Sequence, residues 1–152
     1  MYGVVLRGDA VPSAALLSAA IEEVVAASVS YFHTEWEAGR EPPCCLGCAG
    51  VRYVPDEPGV VSEIVGARQV LRDGKASCNS AAGYYAARER ALALWNGQDP
   101  ATASQAHRVE LEAREHPKAT DGYWHALVVG PAGMTDVAEE TARCRFSSPS
   151  SH

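Results

Sequence analysis

The chain has 152 residues, 47% of them hydrophobic, and a formal net charge of −6. This length allows one domain with a core of its own and is short for two. No run of lysine or arginine marks a surface for nucleic-acid phosphates or anionic lipid, so we expect neither nucleic acid nor a membrane as a partner. No apolar run approaches the roughly 20 residues of a membrane span, and the N-terminus lacks the pattern of a secretory signal. The sequence therefore predicts a soluble, cytoplasmic protein.

The N-terminal half is predicted to be mainly helical. Residues 2–7 form a short strand or a packed tail. Apolar residues at three- and four-residue spacing then predict a helix that begins at Pro12-Ser13 and ends near Gly39. Prolines and cysteines interrupt regular structure over residues 40–59, where we expect a long ordered loop.

Two further helices are expected before the pattern changes. The first covers residues 60–72 and ends at Asp73-Gly74, where glycine can adopt the left-handed cap conformation. The second begins near Cys78 and ends at Asn96-Gly97. Its apolar stripe is predicted to consist of Ala81, Tyr85, Leu92 and Trp95.

The C-terminal part is predicted to form antiparallel strands. Within residues 109–113 apolar and charged side chains alternate, and residues 123–129 are rich in strand formers. A turn at residues 130–133 then leads into another strand at residues 134–137. Helices followed by such strands indicate an α+β fold, with N-terminal helices packed on a C-terminal antiparallel sheet. We expect one domain over residues 1–146 and a flexible tail at 147–152.

Cys78 is a candidate nucleophile because it stands at a predicted helix start, after the N-cap residue Ser77. The unpaired N–H groups and the positive end of the dipole at this position favour a thiolate. The pKa of such a thiol can fall from about 8.5 to neutrality or below, especially beside a histidine. The small residues Ala76, Ser77 and Ser80 are expected to leave the sulfur accessible. The alternative is a buried cysteine that only fills space.

His125 is the candidate base, because it lies within the apolar segment YWHALVV, where an imidazole needs a partner. A turn centred between Pro131 and Ala132 places Asp136 in diagonal reach of His125, and a turn centred one residue earlier places it directly opposite. An intermediate register sends the two side chains to opposite faces. The alternatives are a core histidine bonded to backbone and a solvated aspartate. Cys78, His125 and Asp136 thus occur along the chain in the order nucleophile, base and the residue that orients the base.

Three segments resemble the transglutaminase-like branch of the papain-like cysteine peptidase superfamily. They are ARQVLRDGKASCNSAAGYYAA (67–87), YWHALVV (123–129) and GMTDV (133–137). They match that family's glycine shortly before the cysteine, its alanine-rich helix, its histidine followed by alanine, and its aspartate on the next strand. The chain departs from the family at Asn79 and Val137, where an acidic residue and a proline are frequent.

The resemblance implies a papain-like (transglutaminase-core) fold and acyl transfer through a Cys-His-Asp triad, without a cofactor. Compact relatives are more often peptidases or amidases, so a protein or peptide substrate is implied. Water as acceptor gives hydrolysis and an amine gives crosslinking. The backbone N–H of Cys78 can stabilise the oxyanion, and Gln69 is a candidate side-chain donor. The rival hypothesis is an inactive member of the same fold that serves as an interaction or assembly module, for example in a phage-like particle.

Five cysteines in all, three of them within residues 44–48, do not form the pattern of a secreted disulfide framework, so at least one thiol should be free. A zinc-stabilised binding domain is a third hypothesis, with ligands drawn from Cys44, Cys45 and Cys48 together with Cys144 or His33. Ordinary buried thiols are the alternative. This loop can equally line a substrate cleft whose apolar walls are Trp36, Tyr53 and Trp124.

Overall fold

The computed structural model describes residues 3–7, 13–55, 61–116, 119–137 and 141. In chain order the elements are β1 (Gly3–Arg7), α1 (Ala14–Glu37), β2 (Arg52–Tyr53), β3 (Val61–Val65), α2 (Ala67–Asp73), β4 (Lys75–Ala76), α3 (Cys78–Trp95), α4 (Pro100–Ala106), β5 (Arg108–His116), β6 (Ala119–Gly130) and β7 (Gly133–Thr135). The chain therefore mixes helices with sheets, which agrees with the α+β class. The predicted tail at 147–152 lies outside the described residues, as does the domain boundary at 146.

The strands form three separate sheets within the described residues. β1 pairs antiparallel with β3, the two-residue strands β2 and β4 pair parallel, and β5, β6 and β7 form an antiparallel sheet in that order. α3 packs on β6 and α1 contacts β5, so the expected arrangement of helices on a C-terminal sheet is present. α1 and α3 also pack against each other and supply most of the core.

Helix α1 begins and ends where its sequence predicts. The Ser13 hydroxyl accepts a hydrogen bond from the Leu16 N–H, as expected of an N-cap residue, and Gly39 adopts a φ of 77° just beyond the helix end. The buried residues of α1 follow the helical period and are Leu17, Ala20, Ile21, Val24, Val25, Ser28 and Phe32. One face of α1 is thus part of the core.

By length and hydropathy, α1 is the one helix among the described residues that could cross a membrane. This differs from the expectation that no apolar stretch reaches that length. A core helix of a soluble protein and an N-terminal signal sequence pass the same test, so the composition alone assigns no location. Packing against α3 accounts for the apolar face of α1.

Helix α3 is buried on almost every side because α1, α2, α4 and the sheet surround it. Its small residues allow close packing: a Cβ at Gly83 would lie 3.8 Å from a methyl group of Val25. The predicted stripe is wrong at its end, since Trp95 is 49% exposed. Alanines at many positions of α3 face the core instead, and the helix has no single apolar stripe.

The structure corrects the prediction for residues 60–72. Only α2 is helical there, and residues 61–65 form β3, paired with β1. Val61, Ile64 and Val65 are β-branched, and β1 offers them a partner strand that the local sequence does not reveal. Gly66 then caps α2, and Gly74 ends it with a φ of 67°, as predicted.

Three elements were missed by the sequence interpretation. β2 lies inside the expected loop of residues 40–59, whose described part also contains a 3₁₀ turn at Gly47–Ala49, and its partner β4 lies between Gly74 and Ser77. α4 follows a clear signal, since Asp99 accepts the Thr102 N–H and Pro100 occupies the first helical position.

Candidate active site

The candidate nucleophile is the first residue of α3. Ser77 caps the helix by accepting the Ser80 N–H at 3.4 Å, so Cys78 lies in the first turn, as predicted. The Cys78 thiol donates to Oδ1 of Asn79 at 3.7 Å. Cys78 is 7% exposed, which contradicts the expectation of an accessible sulfur. Small neighbours allow the surrounding chain to pack closely rather than leaving an opening.

The candidate base and its orienter meet in the structure. β6 and β7 pair Val128 with Thr135 and Gly130 with Gly133, so the turn is centred between Pro131 and Ala132. This is the register that places Asp136 diagonally from His125. His125 Nε2 and Asp136 Oδ2 lie 2.9 Å apart, within hydrogen-bond distance.

The bond to Asp136 fixes the tautomer of His125. An ionised carboxylate only accepts hydrogen bonds, so Nε2 must carry the proton. In the neutral ring the lone pair is then on Nδ1, which is buried. Nδ1 is consequently the nitrogen that could take a proton from a thiol. This orientation is the one that a base supported by an acidic group requires.

Arg114 is a member of the site that sequence reasoning missed. Its Nη2 lies 3.3 Å from Asp136 Oδ2, the same oxygen that His125 approaches, and 3.3 Å from Glu112 Oε2. The cross-strand register supplies the signal: Glu112 is opposite His125 in the β5–β6 pair, and Arg114 is two residues further along the same face. Arg114 therefore helps to hold the carboxylate that orients the imidazole.

The relation of Cys78 to His125 depends on the two faces of β6. α3 packs on this strand, and the core cluster that contains Cys78 also contains Ala126 and Val128. Side chains alternate along a strand, so His125 lies on the face opposite Ala126. His125 is nevertheless only 3% exposed. Among the described residues, His125 is hydrogen-bonded to Asp136, and Cys78 lies on helix α3, which packs against β6, the strand that carries His125.

Gln69 is bonded within its own helix. Its amide nitrogen donates to Asp73 Oδ1 at 2.6 Å within α2. An i, i+4 pair of this kind stabilises a helix and uses one of the two N–H donors of the amide. The backbone N–H of Cys78 is the other candidate donor from the sequence interpretation.

The third hypothesis, a zinc site at the cysteine cluster, finds no complete ligand set among the described residues. Cys48 is disulfide-bonded, so its sulfur is not available as a thiolate ligand. Cys44 is a free, exposed thiol, which agrees with the expectation of at least one. His33 Nε2 instead lies 2.8 Å from the Ala91 carbonyl oxygen, and the described residues contain no metal-binding group of histidine, cysteine and acidic side chains. Cys144 lies outside the described residues.

The disulfide also bears on location. Stable disulfides are rare in the reducing cytosol, so the redox state of Cys48 is one test of the cytoplasmic location that the sequence predicts. We expect iodoacetamide to modify Cys44 in the urea-unfolded, unreduced protein and to modify Cys48 only after dithiothreitol is added. Peptide mass spectrometry measures both sites in one sample. Alkylation of Cys48 without a reductant would contradict the disulfide and reopen the zinc hypothesis.

The loop that carries these cysteines is fixed along α3. Tyr84 donates its hydroxyl proton to the Pro43 carbonyl at 2.6 Å, and the Tyr85 hydroxyl accepts the Leu46 N–H at 2.7 Å. Burial raises the pKa of Tyr84 well above its ordinary value, so the donor stays protonated. The loop therefore packs beside the middle of α3 as an ordered segment.

The three aromatic residues expected around a cleft separate into two places. All three pack against the core cluster. Trp36 also contacts Trp95 at a ring distance of 5.6 Å, at the opposite end of α3 from Cys78. Seventeen helical residues span roughly 25 Å, so Trp36 is no part of a site at Cys78.

A separate groove of about 480 Å³ lies between α1, α3, α4 and β5. Arg90 lines it, but its guanidinium is paired with Glu22 and also donates to the His107 carbonyl oxygen. These bonds use three of the five N–H donors of the guanidinium, and the Glu22 carboxylate balances its charge. The groove consequently has no chemistry comparable to that of the His125–Asp136 pair.

Comparisons with protein-family models, curated proteins and solved structures found no match for this chain.

Proposed function

We propose that this protein is a cysteine-dependent acyl-transfer enzyme that hydrolyses a peptide or amide bond, on a papain-like (transglutaminase-core) fold. The single observation that carries the proposal is the hydrogen bond between His125 Nε2 and Asp136, since it leaves Nδ1 as the basic nitrogen. Cys78 in the first turn of α3 is the matching nucleophile. The resemblance in segments 67–87, 123–129 and 133–137 supports the same assignment.

The proposed reaction needs only groups of this chain and water. His125 Nδ1 takes the thiol proton, and the Cys78 sulfur attacks the amide carbonyl carbon. The tetrahedral oxyanion accepts the Cys78 backbone N–H, a kind of contact worth about 3 kcal/mol in other enzymes. The C–N bond breaks as His125 protonates the leaving amine. Water then attacks the thioester, His125 takes its proton, and the acid and the thiol are released. An amine in place of this water gives crosslinking.

One observation favours a second candidate, an inactive member of the fold that acts as an interaction or assembly module. Cys78 and His125 are both almost fully buried, and His125 and Ala126 point to opposite faces of β6. Catalysis requires the sulfur and Nδ1 within about 3–4 Å of each other at the moment of proton transfer. In the second candidate, the same residues stabilise the sheet and the start of α3.

The pH dependence of Cys78 alkylation separates the two candidates. Iodoacetamide reacts with the thiolate, so the rate at each pH reports the ionised fraction. For an active site we expect a midpoint well below 8 in the folded protein. The same peptide in the urea-unfolded protein provides the matched control, with a midpoint near the ordinary thiol pKa of about 8.5. If the folded midpoint equals or exceeds the unfolded one, the acyl-transfer proposal is wrong.

A further inference from the structure

The strand pair β2–β4 leads directly to the candidate nucleophile. Ala76 ends β4, Ser77 caps α3, and Cys78 follows. Lys75 therefore lies three residues before the thiol, at a Cα separation of at most about 10 Å. Its partner across the pair is Arg52.

The two faces of this strand pair differ sharply. Ala76 is buried and Tyr53 packs against the core, so this face is turned inward. Arg52 and Lys75 are both exposed, and directly opposed side chains share a face. Two positive charges are thus held side by side on the outer surface next to the start of α3.

Several of the arginines that the structure describes form ion pairs, whereas Arg68 and the two cations of this strand pair do not. The ion pairs join Arg40 with Glu35, Arg88 with Glu41 and Glu89, Arg90 with Glu22, Arg108 with Glu110, and Arg114 with Glu112 and Asp136. Neither Arg52 nor Lys75 forms an ion pair with any described residue, although acidic residues outnumber basic ones by 19 to 13 in the chain.

Such an arrangement is unfavourable for folding alone. Like charges directly opposite each other destabilise a strand pair, and a two-residue parallel pair has little else to offset the repulsion. Charged side chains on short edge strands do prevent aggregation, but one charge is enough for that purpose. Departures from local stability rules are expected at functional positions.

We propose that Arg52 and Lys75 bind an acidic side chain of an extended peptide substrate, and so set the specificity of the thiol at Cys78. The inference rests on the proposed function for the reacting group, whereas the electrostatic attraction itself does not depend on catalysis. A peptide in extended conformation advances about 3.3 Å per residue. The acidic residue is therefore two or three positions from the scissile carbonyl.

The charge at the thiol can be measured with two alkylating reagents of nearly equal size. Iodoacetate is an anion and iodoacetamide is neutral, so the ratio of their rate constants at Cys78 reports the local potential. Arg52→Glu combined with Lys75→Glu changes the local charge by four units, and we expect the ratio to fall roughly tenfold at low ionic strength. In 1 M salt most of this difference should disappear. Measurement at pH 9 allows even an unactivated thiol to react.

Arg40→Glu is the matched control because it reverses one exposed charge elsewhere. Arg40 precedes Glu41, which pairs with Arg88, ten residues or roughly 15 Å along α3 from Cys78. We expect less than a twofold change in the ratio for this variant. If the double glutamate variant unfolds, Arg52→Gln with Lys75→Gln should still lower the ratio about threefold. An unchanged ratio in a folded variant would overturn the proposal.

Substrate preference is then tested with two short peptide vinyl sulfones that differ only in carrying two aspartates or two lysines. The acidic peptide should modify Cys78 about tenfold faster in the native protein, and the preference should be lost in the double variant. Equal rates with both peptides would refute the substrate class. Failure of the proposed function looks different: both peptides would then react no faster than with the unfolded chain, while the reagent ratio would still respond to Arg52 and Lys75.

Discussion

Replacing His125 with alanine should raise the alkylation midpoint of Cys78 to about 8.5, the value of an ordinary thiol. The imidazolium that stabilises the thiolate is lost, and only the start of α3 still favours the ionised form. A thiol of ordinary pKa is about 0.3% ionised at pH 6. A more basic thiolate is also a better nucleophile, which offsets part of this loss. We therefore expect the alkylation rate at pH 6 to fall at least about tenfold.

Because His125 is buried, His125→Gln provides a second variant that can donate to Asp136 but cannot act as a base. It should reproduce the change in midpoint with a smaller loss of stability, measured by urea unfolding. If both variants keep the native pH profile, His125 does not act on Cys78, and the second candidate function is favoured.

Variants of the residues that hold the His125 imidazole should change the alkylation midpoint of Cys78 by different amounts. Asp136→Asn retains an oxygen that can accept the Nε2 proton, so its effect on the midpoint should be small. Asp136→Ala removes the acceptor and should act more strongly, because the ring can then change tautomer and orientation. Arg114→Met leaves the bond between His125 and Asp136 in place and should act least. A reversed order would show that Arg114, rather than Asp136, orients the ring.

Leu17→Ala should lower the free energy of unfolding by about 2–5 kcal/mol, while the neighbouring Leu16→Ala should change it by less than about 0.5 kcal/mol. Leu17 is 2% exposed and belongs to the core, whereas Leu16 is 53% exposed. The two variants delete the same atoms from adjacent positions of α1, so their helix propensities change equally. Urea unfolding followed by circular dichroism measures both.

The pair of leucines also tests whether α1 belongs to the core in solution. A helix inserted in lipid would surround both side chains with apolar neighbours, and the two variants would then behave alike. Equal effects on unfolding would contradict the packing of α1 against α3. A large difference between the unfolding free energies of the two variants would show that α1 is apolar because one of its faces is buried in the core.

Helix boundaries could be predicted because their signals are local. Ser13, Ser77 and Gly74 each act on backbone groups within four residues, so the sequence next to them is sufficient. Asp99-Pro100 carried the same kind of signal for α4. β3 could not be predicted in this way, because its partner β1 lies about 60 residues earlier in the chain. Val61 and Ile64 fit a helical period, and a short apolar segment of this kind also occurs in strands.

The candidate site was predictable in part for similar reasons. The approach of Asp136 to His125 follows from hairpin arithmetic and one turn, and the structure has one of the registers considered. Arg114 required the β5–β6 register, in which an irregularity between Arg114 and His116 shifts the pairing that counting from the end of the hairpin would give. Burial of Cys78 depends on the packing of whole elements around α3, and residue size near the thiol gave the wrong expectation of access. The disulfide at Cys48 left no local signal in the spacing of the cysteines.

The order in which strands find partners has a consequence for biosynthesis. β1 leaves the ribosome about 60 residues before β3, its partner among the described residues, so its edge is exposed to chaperones and to other nascent chains until β3 follows. β6 and β7 are separated by a two-residue turn and can pair as soon as both have emerged. The imidazole and its carboxylate are thus brought together by strands that are adjacent in the chain, after the helix that carries the thiol has already been synthesised.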